Sequence, residues 1–445
     1  MTTSVPSVDP REMNSTAAAG ASDHASAAPQ SAPWRAGLRY GALGLPLAFV
    51  ALPLYVVLPN HYAREFGVPL AALGGVLLGA RLFDAIADPI IGRAADGWLG
   101  RGAMRAWAAL AIAAVVLVIG FTALFFPQVT GEGALLAWCA ATLCVTYLGY
   151  SVVTVVHQSW GARLGGDAPQ RARIVAWREG LALVGVLVAS VLPSVAGLTV
   201  TTVVFSLLLL AGVAALAAAP RPAASPSASH AVSMTLPFSN PAFRKLMVVY
   251  LVNGIASAVP ATLVLFFVRD RLLSPSYEPL FLASYFAAGA LSIPLWLQMV
   301  KRIGLERAWL LGMALAISVF GWGLQLGAGD VVGFTIVCVL SGVALGADLT
   351  LPSAILAGLI QRAGHGRQAE GAYFGWWNFA TKLNLALAAG VALPALAWFG
   401  YSPGSQDPQA LQALSVAYCL LPCALKLCAA ALLYTLLIQP SKESR

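Results

Sequence analysis

Charged side chains are scarce in this sequence. Asp, Glu, Lys and Arg make up 10% of its 445 residues, against ~25% in ordinary soluble domains. With 59% hydrophobic residues and a mean hydropathy of +0.80, that shortage excludes a soluble globular fold. Other absences narrow the function. No nucleophile–base arrangement and no phosphate-cradling glycine loop is visible, so no enzymatic activity and no cofactor are expected. The six cysteines (139, 144, 338, 419, 423 and 428) all fall in apolar runs, without His or Cys partners at metal-ligand spacing. They read as packing residues. Residues 1–33 hold no long apolar core behind a basic segment; rich in Ala, Ser and Pro, they predict a disordered tail. The net charge of +8 lies in short loops between apolar runs. That pattern orients a membrane protein and makes no basic face for nucleic acid.

What is present is a series of apolar stretches, most about 20 residues long, enough to cross a bilayer as helices. Twelve helices are expected, near 38–62, 68–93, 103–127, 133–160, 174–197, 199–219, 242–269, 276–300, 306–327, 331–356, 369–398 and 411–438. The longest polar interruption, 220–241, carries Pro220, Pro222, Ser225, Pro226, Ser227 and Ser229 and reads as a linker. It divides the chain into six-helix units at 34–219 and 242–438, with a short tail at 439–445. An equal split of this kind is the signature of a transporter built from repeats. Lys and Arg concentrate in the loops holding Arg101, Arg105, Arg163, Arg171, Arg173, Lys301, Arg302, Arg362 and Arg367. The positive-inside rule then predicts a multi-pass protein of the inner membrane with both termini and the linker cytoplasmic.

The most informative stretch runs from Leu77 to Gly92. Arg81, Asp84 and Asp88 lie on one side of a membrane helix. An ion at the centre of a bilayer helix costs at least ~2.5–3.5 kcal/mol, so such residues mark ion or substrate paths. Two carboxylates one turn apart resist being ionised together and attract a proton or a small cation. Pro89 leaves the Ala85 carbonyl without its helical donor, a further oxygen for a hard cation such as sodium. Pro46, Pro53 and Pro59 predict a bent or broken first helix. On the eleventh helix, Phe374, Asn378 and Lys382 share a face, and Lys382 lies too deep in an apolar run to reach water unaided. It is expected to be a counter-charge to Asp84 or Asp88, or a ligand for an anionic solute. Asn253 and Ser257 either line a cavity or hydrogen-bond between helices. His157 is either a titrating group or a structural one. Asp348, Arg367 and Glu370 are candidates for a gate lock, and Lys426 reads as a snorkelling residue.

Gly92, Asp96, Gly100 and Arg101, between the second and third helices, resemble the loop motif of the major facilitator superfamily. The resemblance implies a twelve-helix major facilitator fold and a conformational role for these four residues. Arg81-x-x-Asp84-Ala85-x-x-Asp88-Pro89 further resembles the cation-site helix of the glycoside–pentoside–hexuronide:cation symporters, the melibiose permease group. That likeness implies that Asp84 and Asp88 bind the coupling ion, that Ser151 completes the site, that Arg178 belongs to the substrate cavity and that Lys382 lies beside both. Thr154 and Pro46 stand where the sugar permeases have their two sugar-binding aspartates, and Ala87 where sodium-using members have an Asn ligand. A galactoside is therefore not the expected solute, and the coupling ion is a proton or sodium. Arg178 has a second reading, as a snorkelling residue paired with Glu179. The expected function is symport of a small organic solute by a monomer in the bilayer, with Arg81, Thr154, Arg178, Asn253, Asn378 and Lys382 serving substrate or coupling. A lysolipid carrier and a non-transporting scaffold of the same fold are the alternatives.

Overall fold

The computed structural model describes residues 33–223, 233–398, 400–402 and 404–439. The expected tails at 1–33 and 439–445, and the centre of the linker, lie almost entirely outside that set. The described chain is helical. Its rods are α1 (33–65), α2 (Leu70–Gly100), α3 (Ala103–Phe125), α4 (Glu132–Arg163), then Ala168–Ala217, which Gly197 divides into α5 and α6. After the linker come α7 (Pro241–Arg271), α8 (Pro275–Ile303), α9 (Leu305–Gly323), α10 (Val331–Arg362), α11 (Glu370–Trp398) and α12 (Pro408–Ile438). Among the described residues, eight helices, with α5 and α6 counted as one, are long and apolar enough to cross a membrane. The all-helical architecture is as expected from the sequence.

Local chemistry sets the ends of these rods. Asp167, Asn240 and Asp407 each turn a side-chain oxygen onto a backbone N–H of the first turn, at 2.8, 3.0 and 2.9 Å. A proline sits at the first or second helical position in all three, where its missing N–H costs nothing. Gly197 takes φ +77°, open to glycine without a Cβ penalty, and there α5 gives way to α6. The first rod is broken as its prolines predict, with a π-helical turn at Pro53–Val57. The linker is shorter than expected at its far end, because Leu236–Ser239 forms a helical turn before α7.

Each half has its own core. In the first it runs from Tyr40 through Phe49, Phe121 and Phe205 to Ala219. In the second, one cluster gathers around Trp309, Tyr373 and Trp377, and another around Phe267, Phe334 and Tyr418. The halves meet along α2, α4, α5 and α8, α10, α11. The tightest seam joins α2 to α11 at the end of the bundle where the linker departs, called here the linker end. A Cβ on Gly92 would stand 2.1 Å from the Gly371 carbonyl oxygen, and one on Gly375 2.6 Å from that of Asp88. Neither approach tolerates a side chain, because the obstructing atoms are backbone.

Gly92→Val is expected to force α2 and α11 apart and destabilise the protein by ~1–3 kcal/mol, the usual cost of overpacking. A thermal melt of the purified protein checks this, and an unchanged melting temperature would contradict the packing.

Candidate functional site

Asp84 and Asp88 project from α2 into the seam, with 3% and 0% exposure. Lys382 of α11 reaches them from the other half. Its ammonium lies 2.7 Å from Asp84 Oδ1 and 2.7 Å from Asp88 Oδ2. The Asp88 contact is an ion pair without hydrogen-bond alignment, and neither Asp88 oxygen has a hydrogen bond among the described residues. Lys382 also donates to Ser151 Oγ at 3.0 Å, and Ser151 donates to Asp84 Oδ1 at 2.7 Å. The ammonium also donates to the Asp84 backbone carbonyl, at 3.4 Å. Two carboxylates and one ammonium leave a net charge of −1 when all are ionised. An excess of that kind, buried in low dielectric, favours one proton or one monovalent cation. Carboxylate, hydroxyl and carbonyl oxygens are the donors a hard cation takes. Among the described residues no group of three His, Cys, Asp or Glu is placed to hold a metal ion, so a sodium ion would rest on this mixed oxygen set.

Between α4 and α11 the same seam continues as a polar ladder towards the linker end. Ser151 meets Lys382; Asn378 Nδ2 donates to Gln158 Oε1 at 3.0 Å; Arg163 Nε donates to Glu370 Oε2 at 2.9 Å. Numbers rise along α4 as they fall along α11, as antiparallel neighbours require. Gln158 and Arg163 were not among the residues expected from the sequence. Their signal there is a polar residue on the Ser151 side of α4 two turns further on, Gln158, and an arginine at the end of the same helix, Arg163.

At the linker end Arg163 holds two carboxylates, one from each half. Its Nη2 lies 3.2 Å from Asp96 Oδ1, and all three side chains are 2% exposed or less. The Asp96 carboxylate also accepts from the backbone N–H groups of Gly371 and Ala372, at 2.7 and 2.8 Å. It therefore caps the first turn of α11, where the helix dipole favours negative charge. Glu370 accepts in addition from the Arg367 backbone N–H.

Several expected residues fall elsewhere. Arg101 is exposed, with Nη1 3.5 Å from the Gly97 carbonyl of its own helix, so Arg163 and not Arg101 bridges the loop motif. Gly92 supplies the close helix approach, and Gly100 ends α2. Arg81 is exposed, one turn before the buried aspartates. Arg178 is buried and gives Nε and Nη2 to Glu179 Oε1, at 2.9 and 2.6 Å. His157 is wholly buried, with Nε2 2.8 Å from the Tyr40 carbonyl, in keeping with a structural role. Thr154 is on the helix of Ser151, and its hydroxyl has no hydrogen-bond partner among the described residues. Asp348 does not join Glu370 and Arg367 in a lock. It pairs with Lys426 at 2.7 Å inside the second half. Lys426 is therefore buried and not snorkelling, and Asn253 and Ser257 bond to Asp348 at 3.1 Å each instead of reaching the Asp84–Asp88 site.

The fold is that of solved transporters. A bacterial homologue of the iron transporter ferroportin, in an outward-facing state, superposes with a TM-score of 0.66 at 15% identity, covering 90% of this chain and 99% of that one. The Escherichia coli fucose:proton symporter FucP gives 0.65 at 13% identity, over 90% and 98% of the two chains. In sequence the chain is similar to the inner membrane symporter YicJ of Escherichia coli, 29% identical over 35% of this chain and 33% of that protein. The uncharacterised symporter YjmB of Bacillus subtilis is 30% identical over 34% and 33%. These alignments span about a third of the relatives' length. The model of the MFS/sugar transport protein family matches residues 39–439, and the chain belongs to that family.

Proposed function

We propose that this protein is a secondary active transporter that couples a proton or sodium ion to a small organic solute by alternating access. The observation that carries the reading is the Lys382 ammonium of one half 2.7 Å from both Asp84 and Asp88 of the other, two carboxylates sharing one cation. An ion arriving there competes with Lys382 for the carboxylates and so changes a contact between the two halves. This is the differential interaction that a conformational equilibrium needs if a ligand is to shift it. Three of the similar proteins, YicJ, YjmB and FucP, are named symporters, which supports the same reading. In this account all twelve rods cross the inner membrane, the linker end faces the cytoplasm, and the protein works as a monomer.

Arg163, Asp96 and Glu370 close the cytoplasmic end in this state. Movement to the opposite state breaks the Arg163–Glu370 pair and uncaps α11. The solute enters between the halves from the far side and leaves once this latch has parted.

Two outcomes are expected. In vesicles under an imposed sodium or proton gradient, a panel of radiolabelled glycosides, pentoses and small organic acids should include one that the protein accumulates. Asp88→Asn should abolish that accumulation, and accumulation equal to wild type would overturn the assignment of the site. Arg163→Gln leaves two buried carboxylates without their cation, a loss of ~3–5 kcal/mol for a broken buried pair. Labelling of a cysteine placed at position 158 by a water-soluble maleimide from the linker side should rise at least tenfold in that background. Unchanged labelling would show that the latch does not hold this end shut.

A further inference from the structure

The second half contains a cavity of about 160 Å³, built by α7, α8, α9, α10 and α12 and lined, among the described residues, by none of the first half. Its walls are mainly apolar, with Phe281, Phe286 and Phe320 among them. At its floor lies the Asp348–Lys426 pair. We propose that this cavity is a binding site, separate from the Asp84–Asp88 site, for a neutral, mostly apolar molecule about one ring in size that carries a hydroxyl or carbonyl oxygen.

Size comes first. An apolar cavity of roughly 150 Å³ holds one benzene ring, so the volume suits a single ring with a short substituent. The charge of the ligand follows from the pair at the floor. Asp348 Oδ1 accepts from Asn253 Nδ2 at 3.1 Å and Trp309 Nε1 at 2.9 Å. Its Oδ2 accepts from Ser257 Oγ at 3.1 Å and Lys426 Nζ at 2.7 Å. Four donors fill the carboxylate, and one ammonium balances its charge, so a cationic ligand finds no free acceptor there. An anionic ligand would add an uncompensated charge to a neutral buried pair.

The polar part of the ligand follows from the donors left over. Lys426 spends two of its three N–H bonds, one on Asp348 and one on Asn253 Oδ1 at 2.9 Å. Tyr285 and Tyr418 also line the cavity, and their hydroxyls make no hydrogen bond among the described residues. Tyr418 is 5% exposed. Three donors thus border one small apolar space and ask for an acceptor. A hydroxyl or carbonyl oxygen supplies it without bringing charge.

The site stands whether or not the protein is a symporter, because no residue of the seam contributes to it. Binding of 4-fluorobenzyl alcohol to the purified full-length protein, followed by fluorine NMR, tests it. Saturable line broadening is expected in wild type, weakened at least tenfold in Ala344→Phe and in Ala316→Phe, each of which fills the cavity. The double variant Tyr285→Phe/Tyr418→Phe, which keeps the volume, should weaken binding several-fold and serves if a filled variant does not fold. The 4-fluorobenzoate ion should bind at least tenfold less tightly than the alcohol. Equal broadening in wild type and the filled variants would reveal partition into detergent and overturn the proposal. So would no broadening in wild type at millimolar probe, or equal binding of the anion.

Discussion

The contact on which the structure depends is the Lys382 ammonium placed between Asp84 and Asp88. Each ion alone would be expensive inside a membrane, and together they remain one positive charge short of balance. The three groups do not belong to one half: the carboxylates ride on α2 and the ammonium on α11. Any change in occupancy of the carboxylates therefore becomes a change in the attraction between the halves. Ser151 ties the arrangement to α4, so three helices register the state of one site.

The same two helices carry the latch. Asp96 lies two turns beyond Asp88 on α2, about 12 Å along the axis, and caps the first turn of α11 through Gly371 and Ala372. The caps need the two backbones in contact, and contact needs Gly92, Gly371 and Gly375 to be bare of side chains. On the proposed function, a rigid seam so built would turn a change at the ion site into a change at the linker end without any long chain of intermediates. Both sites use one formula, two carboxylates around one cation, and both cross from one half to the other.

Much of this was legible in the sequence because ions in apolar runs are conspicuous. Asp84, Asp88 and Lys382 stand out for that reason, and the prolines of the first rod announce its broken course. The partners of Asp348 and Asp96 were not legible. Asp348 and Lys426 are 78 residues apart, and nothing local distinguishes a lysine that ends in a buried pair from one that snorkels. Arg163 sits at the foot of α4 among other loop arginines, and only the approach of α11 singles it out from Arg101. Helix periodicity tells which residues share a face; it does not tell which other helix that face meets.

Asp84, Asp88 and Lys382 are proposed to form a site for one monovalent cation or proton. Thermal stability of the purified protein tests it directly, measured against sodium at fixed ionic strength and then against pH. A ligand that binds only the folded state stabilises it by RT ln(1 + [L]/Kd). A sodium-specific rise or a pH-dependent shift that Asp88→Asn removes is expected. A response of the same size in Asp88→Asn, or no response to either ion in wild type, would contradict it.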